Sequence, residues 1–150
     1  MSELGLVQTL KDAVKTSMRA KDKARTQALR LIQAELKRVE VDERIELDDT
    51  RVISILDKML KQRRDSIKQF EDAGRNELAE GELFEVKVIQ DFLPEALSEE
   101  ELSAIVVKAI ADSDASGMKD MGKVMALVKP QIQGRAEVGK VSQLVKSTLA

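Results

Sequence analysis

The chain has 150 residues, room for one domain or two small ones, with 43% apolar and 35% charged residues and a formal net charge of -2. That mixture suits amphipathic helices and is too apolar for a disordered chain. There is no Cys and no His, which excludes zinc sites, Cys–His pairs and Ser–His–Asp triads by inventory, and three Phe without Trp or Tyr make no platform for stacking bases.

From Leu4, the series Val7, Leu10, Val14 and Met18 recurs at the spacing of one helix face. The stretch AKD interrupts it, and Asp22 is placed to cap a second helix with Ala28, Ile32, Leu36 and Val39 on one stripe. Asp48, Asp49 and Thr50 form a cap cluster for a long third helix that turns Ile53, Leu56, Leu60, Ile67 and Phe70 inward. Gly74 ends it as a C′ glycine. A fourth helix points Leu78, Val86, Ile89 and Leu93 inward, and Pro94 ends it.

The segment LPEALSEEEL marks the main boundary. Ser98 and Glu101 make a capping box, with three glutamates at the positive end of the helix dipole. The fifth helix continues through Leu102, Ile105, Val106, Ala109 and Ile110, and the turn-rich DSDASG follows. A sixth helix, about Met118 to Val128, presents Met121, Val124, Met125 and Val128 before Pro130 and Gly134 disturb it. A seventh uses Val141, Leu144, Val145 and Leu149. The expected fold is all-α: an N-terminal antiparallel bundle of about four helices over residues 1–93, a linker at 94–97, and a small three-helix domain over 98–150.

No apolar run approaches the ~20 residues of a membrane span, and MSELGLVQTLKDAV lacks the basic start and apolar core of a signal peptide. With no cysteine for disulfides, the expectation is a soluble cytoplasmic protein without metal, cofactor or membrane contact.

Some charges break the apolar stripes. On a helical wheel, Arg63 falls between Leu56 and Phe70 on the third helix, Glu82 falls on the stripe of the fourth, and Glu85 lies at its margin. An unpaired buried charge costs several kcal/mol, so these residues imply one structural ion pair across the hairpin. The alternative is a catalytic carboxylate pair, Glu82 and Glu85, but a neighbouring arginine would lower their pKa and keep them ionised. No catalytic residue is assigned.

Two surfaces are basic. The first holds Lys11, Lys15, Arg19, Lys21, Lys23, Arg25 and Arg30, opposed locally by Asp12 and Asp22. The second holds Lys119, Lys123, Lys129, Arg135, Lys140 and Lys146, against Asp120 and Glu137. The fifth helix and its flanks are acidic, so the net charge hides segregation. Such stripes can hold phosphates, although most helical Lys and Arg are ordinary solvated faces. The stretch IQGRAEVGKVSQLV is not a P-loop, because Gly139–Lys140 leads to Val141 and no strand precedes it. Gly134 frees the chain after Pro130, Glu137 is a cap or N-terminal charge for the seventh helix, and the free N–H groups there, with Arg135 beside them, make a modest anion site.

The segments LKQRRDSIKQFEDAGRNELAEGE, FLPEALSEEEL, MKDMGKVMALVKP and GRAEVGKVSQLV together resemble the GatB/YqeY-domain proteins, specifically the stand-alone YqeY-like members. The resemblance runs along nearly the whole chain. It implies an N-terminal helical bundle and a smaller three-helix C-terminal domain similar to the tail of the GatB subunit of the tRNA-dependent amidotransferase. That tail is associated with tRNA recognition, and the matching positions here are Lys119, Gly122, Lys123, Gly134, Arg135 and Ala136. Glu137 departs from the Asp that members often carry. A family label of carbon–nitrogen ligase with glutamine as amido-N-donor would be inherited by name, since the chemistry resides in domains this chain does not contain.

The leading expectation is therefore a non-catalytic accessory that binds tRNA, or a tRNA-handling enzyme, through Lys119, Lys123, Lys129, Arg135, Lys140 and Lys146. Phosphate neutralisation and shape would dominate, with little base reading. The alternatives are a protein–protein adaptor using the Met118, Met121 and Met125 surface or the acidic fifth helix, and an amide-transfer enzyme in its own right.

Overall fold

The computed structural model of the protein describes residues 5–150, so Leu4, at the head of the first apolar series, lies outside them. Among the described residues the fold is all-α: seven α-helices and one 3-10 turn, with no strand. They are α1 (Leu6–Arg19), α2 (Lys23–Glu43), α3 (Asp49–Asp72), α4 (Asn76–Gln90), α5 (Glu99–Asp112), the turn Met118–Asp120, α6 (Met121–Ile132) and α7 (Val138–Leu149). The chain divides into two compact units at Leu93/Pro94.

Helix starts follow local chemistry. Asp22 caps α2 by accepting from the Arg25 N–H at 3.1 Å, and Asp48 caps α3 by accepting from the Arg51 N–H at 2.8 Å. At α5 the box is reciprocal: Ser98 Oγ accepts from the Glu101 N–H at 3.1 Å, and the Ser98 N–H donates to Glu101 Oε1 at 3.2 Å. These bonds hold the Glu101 carboxyl below its ordinary pKa, the Ser98 backbone donor being the main cause.

Three helices end by one device. The N–H groups of Lys21 and Asp22 donate to the Met18 and Ser17 carbonyls at 3.1 and 3.0 Å. Those of Gly74 and Arg75 donate to Glu71 and Phe70 at 3.0 and 2.7 Å, and those of Asp114 and Ala115 to Ala111 and Ile110 at 3.2 Å each. This pattern needs a left-handed residue just past the helix, here Lys21 (φ 59°), Gly74 (φ 73°) and Asp114 (φ 55°). Only glycine enters that region without a Cβ penalty.

In the first unit, α3 packs most extensively on α4 and α1 on α2, while α2 also touches α3 and α4. Leu29, Ile32, Leu56 and Ile89 are sealed from solvent, each burial contributing about 2 kcal/mol. Ala28, Leu36, Val39, Leu60, Ile67 and Val86 join the same core, with Phe70 and Leu93 packed partly buried against it. Two residues expected inward face out. Met18 is 52% exposed because Ser17 takes the inward position, where its hydroxyl lies 2.6 Å from that of Thr26. Leu78 is also exposed because Ala79, one residue on, meets the core.

In the second unit, α5 packs on α6 and α7, and α6 on α7. Val106, Ala109, Val124, Met125, Val128, Ile132, Val141 and Val145 form its core. Helix α6 does not stop at Val128 but runs through Pro130 to Ile132. Pro130 sits in the last turn, so its missing N–H costs one helical bond with the Ala126 carbonyl, and fully buried Ile132 anchors the turn beyond it. The methionine surface suggested for an adaptor is largely interior: Met125 is buried and Met121 packs against the core, leaving Met118 exposed.

Candidate functional site

The six cationic residues of the expected site are carried by the 3-10 turn, α6, α7 and the connection 133–137. In that connection Gly134 adopts φ 74°, and the N–H groups of Arg135 and Ala136 both donate to the Ile132 carbonyl, at 2.8 and 3.1 Å. Ala136 thereby packs against the core, and Glu137 occupies the N-cap position of α7 without a side-chain cap bond. The connection is strapped to the segment before α5. Arg135 Nε donates to the Glu95 carbonyl at 2.9 Å, and the Leu97 N–H donates to the Arg135 carbonyl at 3.0 Å. Arg135 is half-buried, and part of its guanidinium is committed to the fold.

Lys119, Lys123, Lys129, Lys140 and Lys146 are all exposed, as is Gly122. At ~100° per residue, Lys123 and Lys129 lie about 120° apart around α6, and Lys140 and Lys146 about 120° apart around α7. Each pair therefore flanks its helix rather than forming one stripe. Lys123 Nζ lies 3.8 Å from Asp120 Oδ1. Asp120 also accepts from the Ser116 N–H at 3.0 Å, which with Lys123 and Lys119 holds its carboxyl below the ordinary range. One lysine is thus partly offset by an ionised neighbour. The arrangement is a dispersed cationic surface on which the lysines do not share one helical stripe.

In the first unit, Arg63 of α3 faces two carboxylates of α4. Arg63 Nε lies 2.6 Å from Glu85 Oε2 and 3.4 Å from Glu82 Oε2, and all three side chains are about a quarter exposed. The expectation that the arginine lowers the carboxylate pKa is corrected for Glu85. Burial pushes its pKa up, with neighbouring Glu82 adding to the rise, and together these outweigh Arg63.

Sequence reasoning missed several partners. Arg25 Nη1 contacts Asp91 Oδ2 at 2.9 Å, so the first basic surface is opposed by a carboxylate remote in the chain as well as by Asp12 and Asp22. Arg38 pairs with Glu35 and Asp42, and Arg51 with Glu43. The Arg38 pairs stand at three and four residues and could have been read from spacing. Arg25–Asp91 and Arg135–Glu95 leave no local signal. Among the described residues no acidic cluster is placed to hold a metal ion, and no helix is long and apolar enough to cross a membrane.

Residues 7–149 match the family model described as Yqey-like protein. Similar proteins include "Altered inheritance of mitochondria protein 41, mitochondrial" of Pyrenophora tritici-repentis, 30% identical over 125 residues that cover 82% of this chain and 68% of that protein. The protein of the same name from Kluyveromyces lactis is 31% identical over 139 residues, covering 90% and 68% respectively. That from Eremothecium gossypii is 38% identical over 95 residues, covering 61% and 52%. These matches correct the expectation of a cytoplasmic protein, because all five matched relatives are named as mitochondrial. The lack of cysteine and of an apolar span, on which that expectation stood, does not distinguish one compartment from another.

Proposed function

The chain belongs to the YqeY-like protein family, and from that premise we propose that it is a non-catalytic accessory of tRNA-dependent processes, binding tRNA through the lysines of its second unit. The observation that carries this reading is the exposure of Lys119, Lys123, Lys129, Lys140 and Lys146 on one small helical unit. Similarity of residues 98–150 to the tail of the amidotransferase subunit GatB supports the choice of tRNA and a relation to glutamine-dependent amide transfer. The mitochondrial designation of the relatives supports that compartment as the place of action. Arg135 serves mainly as a strap, and the lysines contact phosphate. The Arg63–Glu82–Glu85 cluster, in this reading, holds α3 on α4 and performs no chemistry.

The test is a titration of total tRNA over a salt series with the wild type and a Lys123→Glu/Lys140→Glu variant. Wild-type affinity should fall by ~10-fold or more between about 50 and 200 mM salt, with a shallower slope for the variant. Full tRNA affinity of the variant at low salt would remove the proposal.

A further inference from the structure

We propose that the groove at the corner of α1 and α2 is a docking site for an acidic amphipathic helix of a partner protein. The groove has a volume of about 630 Å³. Its apolar lining comes from both helices: Met18 of α1 is 52% exposed and Leu31 of α2 is 42% exposed. Its banks carry Lys21, Lys23 and Arg30, and no carboxylate lines it. Arg30 Nη2 lies 3.6 Å from Met18 Sδ, so the guanidinium borders the exposed methionine.

The chemistry of the lining selects the occupant. Ser17 and Thr26 are buried, and their two hydroxyl protons have three acceptors within the protein, one hydroxyl oxygen of the pair and the Val14 and Asp22 carbonyls, so none is left over for a ligand. No aromatic ring lines the groove, so a nucleobase would find no stacking surface. A shallow groove with an apolar lining edged by cations is complementary to a helix with an apolar ridge and acidic flanks, and methionine adapts its shape to such a ridge.

Lys21 holds a left-handed conformation at the end of α1, as Arg44 does after α2 and Asp114 after α5, at the position that Gly74 fills at the end of α3. Lysine there carries a backbone penalty that glycine would relieve, and the residue lines the groove.

The probe is a labelled helical peptide of about 18 residues, long enough to populate a helix, with leucines spaced i, i+4, i+7 and glutamates on both flanks. A peptide of equal composition with scattered leucines is the control. The full-length protein should bind the first peptide and not the second. Met18→Ser/Leu31→Ser should abolish binding with only a small fall in melting temperature, since both side chains are about half exposed and the loss is mainly helix propensity. Lys21→Gly should weaken binding several-fold, and the protein should melt higher. Equal affinity for the scattered peptide, or binding indifferent to the Met18 and Leu31 changes, overturns the proposal. So does a groove that takes up tRNA or phosphatidylglycerol vesicles but not the peptide. None of these variants touches the lysines of α6 and α7, so this test and that of tRNA binding fail independently.

Discussion

Arg135 Nε donates to the carbonyl of Glu95 at 2.9 Å, across 40 positions of sequence. With the Leu97 N–H returning a bond to the Arg135 carbonyl, the connection before α7 is tied to the segment before α5. An arginine proposed for a phosphate-binding surface is therefore also a fastening of the three-helix unit.

Arg135→Lys should destabilise the second unit by about 1 kcal/mol, because an ammonium cannot reproduce the planar Nε donor and the bond is exposed. Denaturant unfolding checks this. Affinity for tRNA at low salt should change less than in Lys123→Glu.

Arg63→Met removes the cation between Glu82 and Glu85 and should cost about 1–2 kcal/mol, between the values for buried and surface pairs because the cluster is about a quarter exposed. Adding Glu82→Leu should recover part of the loss. A double-mutant cycle should show coupling above about 0.5 kcal/mol, whereas simple additivity would deny the pair.

Glu85 predicts a pH dependence of definite sign. Its folded pKa is raised above the ordinary value, chiefly by burial, so the folded state retains the proton longer than the unfolded chain. Its contribution to stability is fully present below the unfolded carboxyl pKa and is lost as pH rises through the folded one. Relative to Glu85→Gln, the wild type should therefore lose stability as pH rises from the acid side toward neutrality. Chemical denaturation of both proteins across that window checks it, and an opposite trend would mean that Arg63 dominates.

Gly74 isolates a backbone effect. A Cβ added there meets nothing within 4 Å, yet φ is 73°. Gly74→Ala should lower stability by about 1 kcal/mol from conformation alone. The measurement is a shift of the unfolding midpoint with an unchanged denaturant slope.

Features written in short sequence windows were legible in advance. The caps Asp22 and Asp48, the Ser98–Glu101 box and the stop at Gly74 each join residues five positions apart or fewer. The stripe Ala28, Ile32, Leu36 and Val39 is buried along its length because α2 meets its neighbours on that one face. At Met18 and Leu78 the same periodicity pointed inward and the side chains turn out, since one step of about 100° decides which residue meets a neighbour. Pro130 read as a disturbance after Val128, but in a last turn it interrupts only one helical bond, and α6 continues to Ile132. For the candidate site, the cationic residue types were legible, whereas their separation around α6 and α7 and the engagement of Arg135 by Glu95 were not.

What the amino-acid order determined by itself is the all-α class, the apolar faces and the helix caps, because those depend on periodicity and hydrogen bonds between near neighbours. What only the tertiary structure decided is which charges are answered and at what pKa: Arg25 by Asp91, Arg135 by the Glu95 carbonyl, and Glu85 lifted by burial against the pull of Arg63. Solvation and Coulomb interactions act through space, and the groups that set them lie many residues apart in the chain.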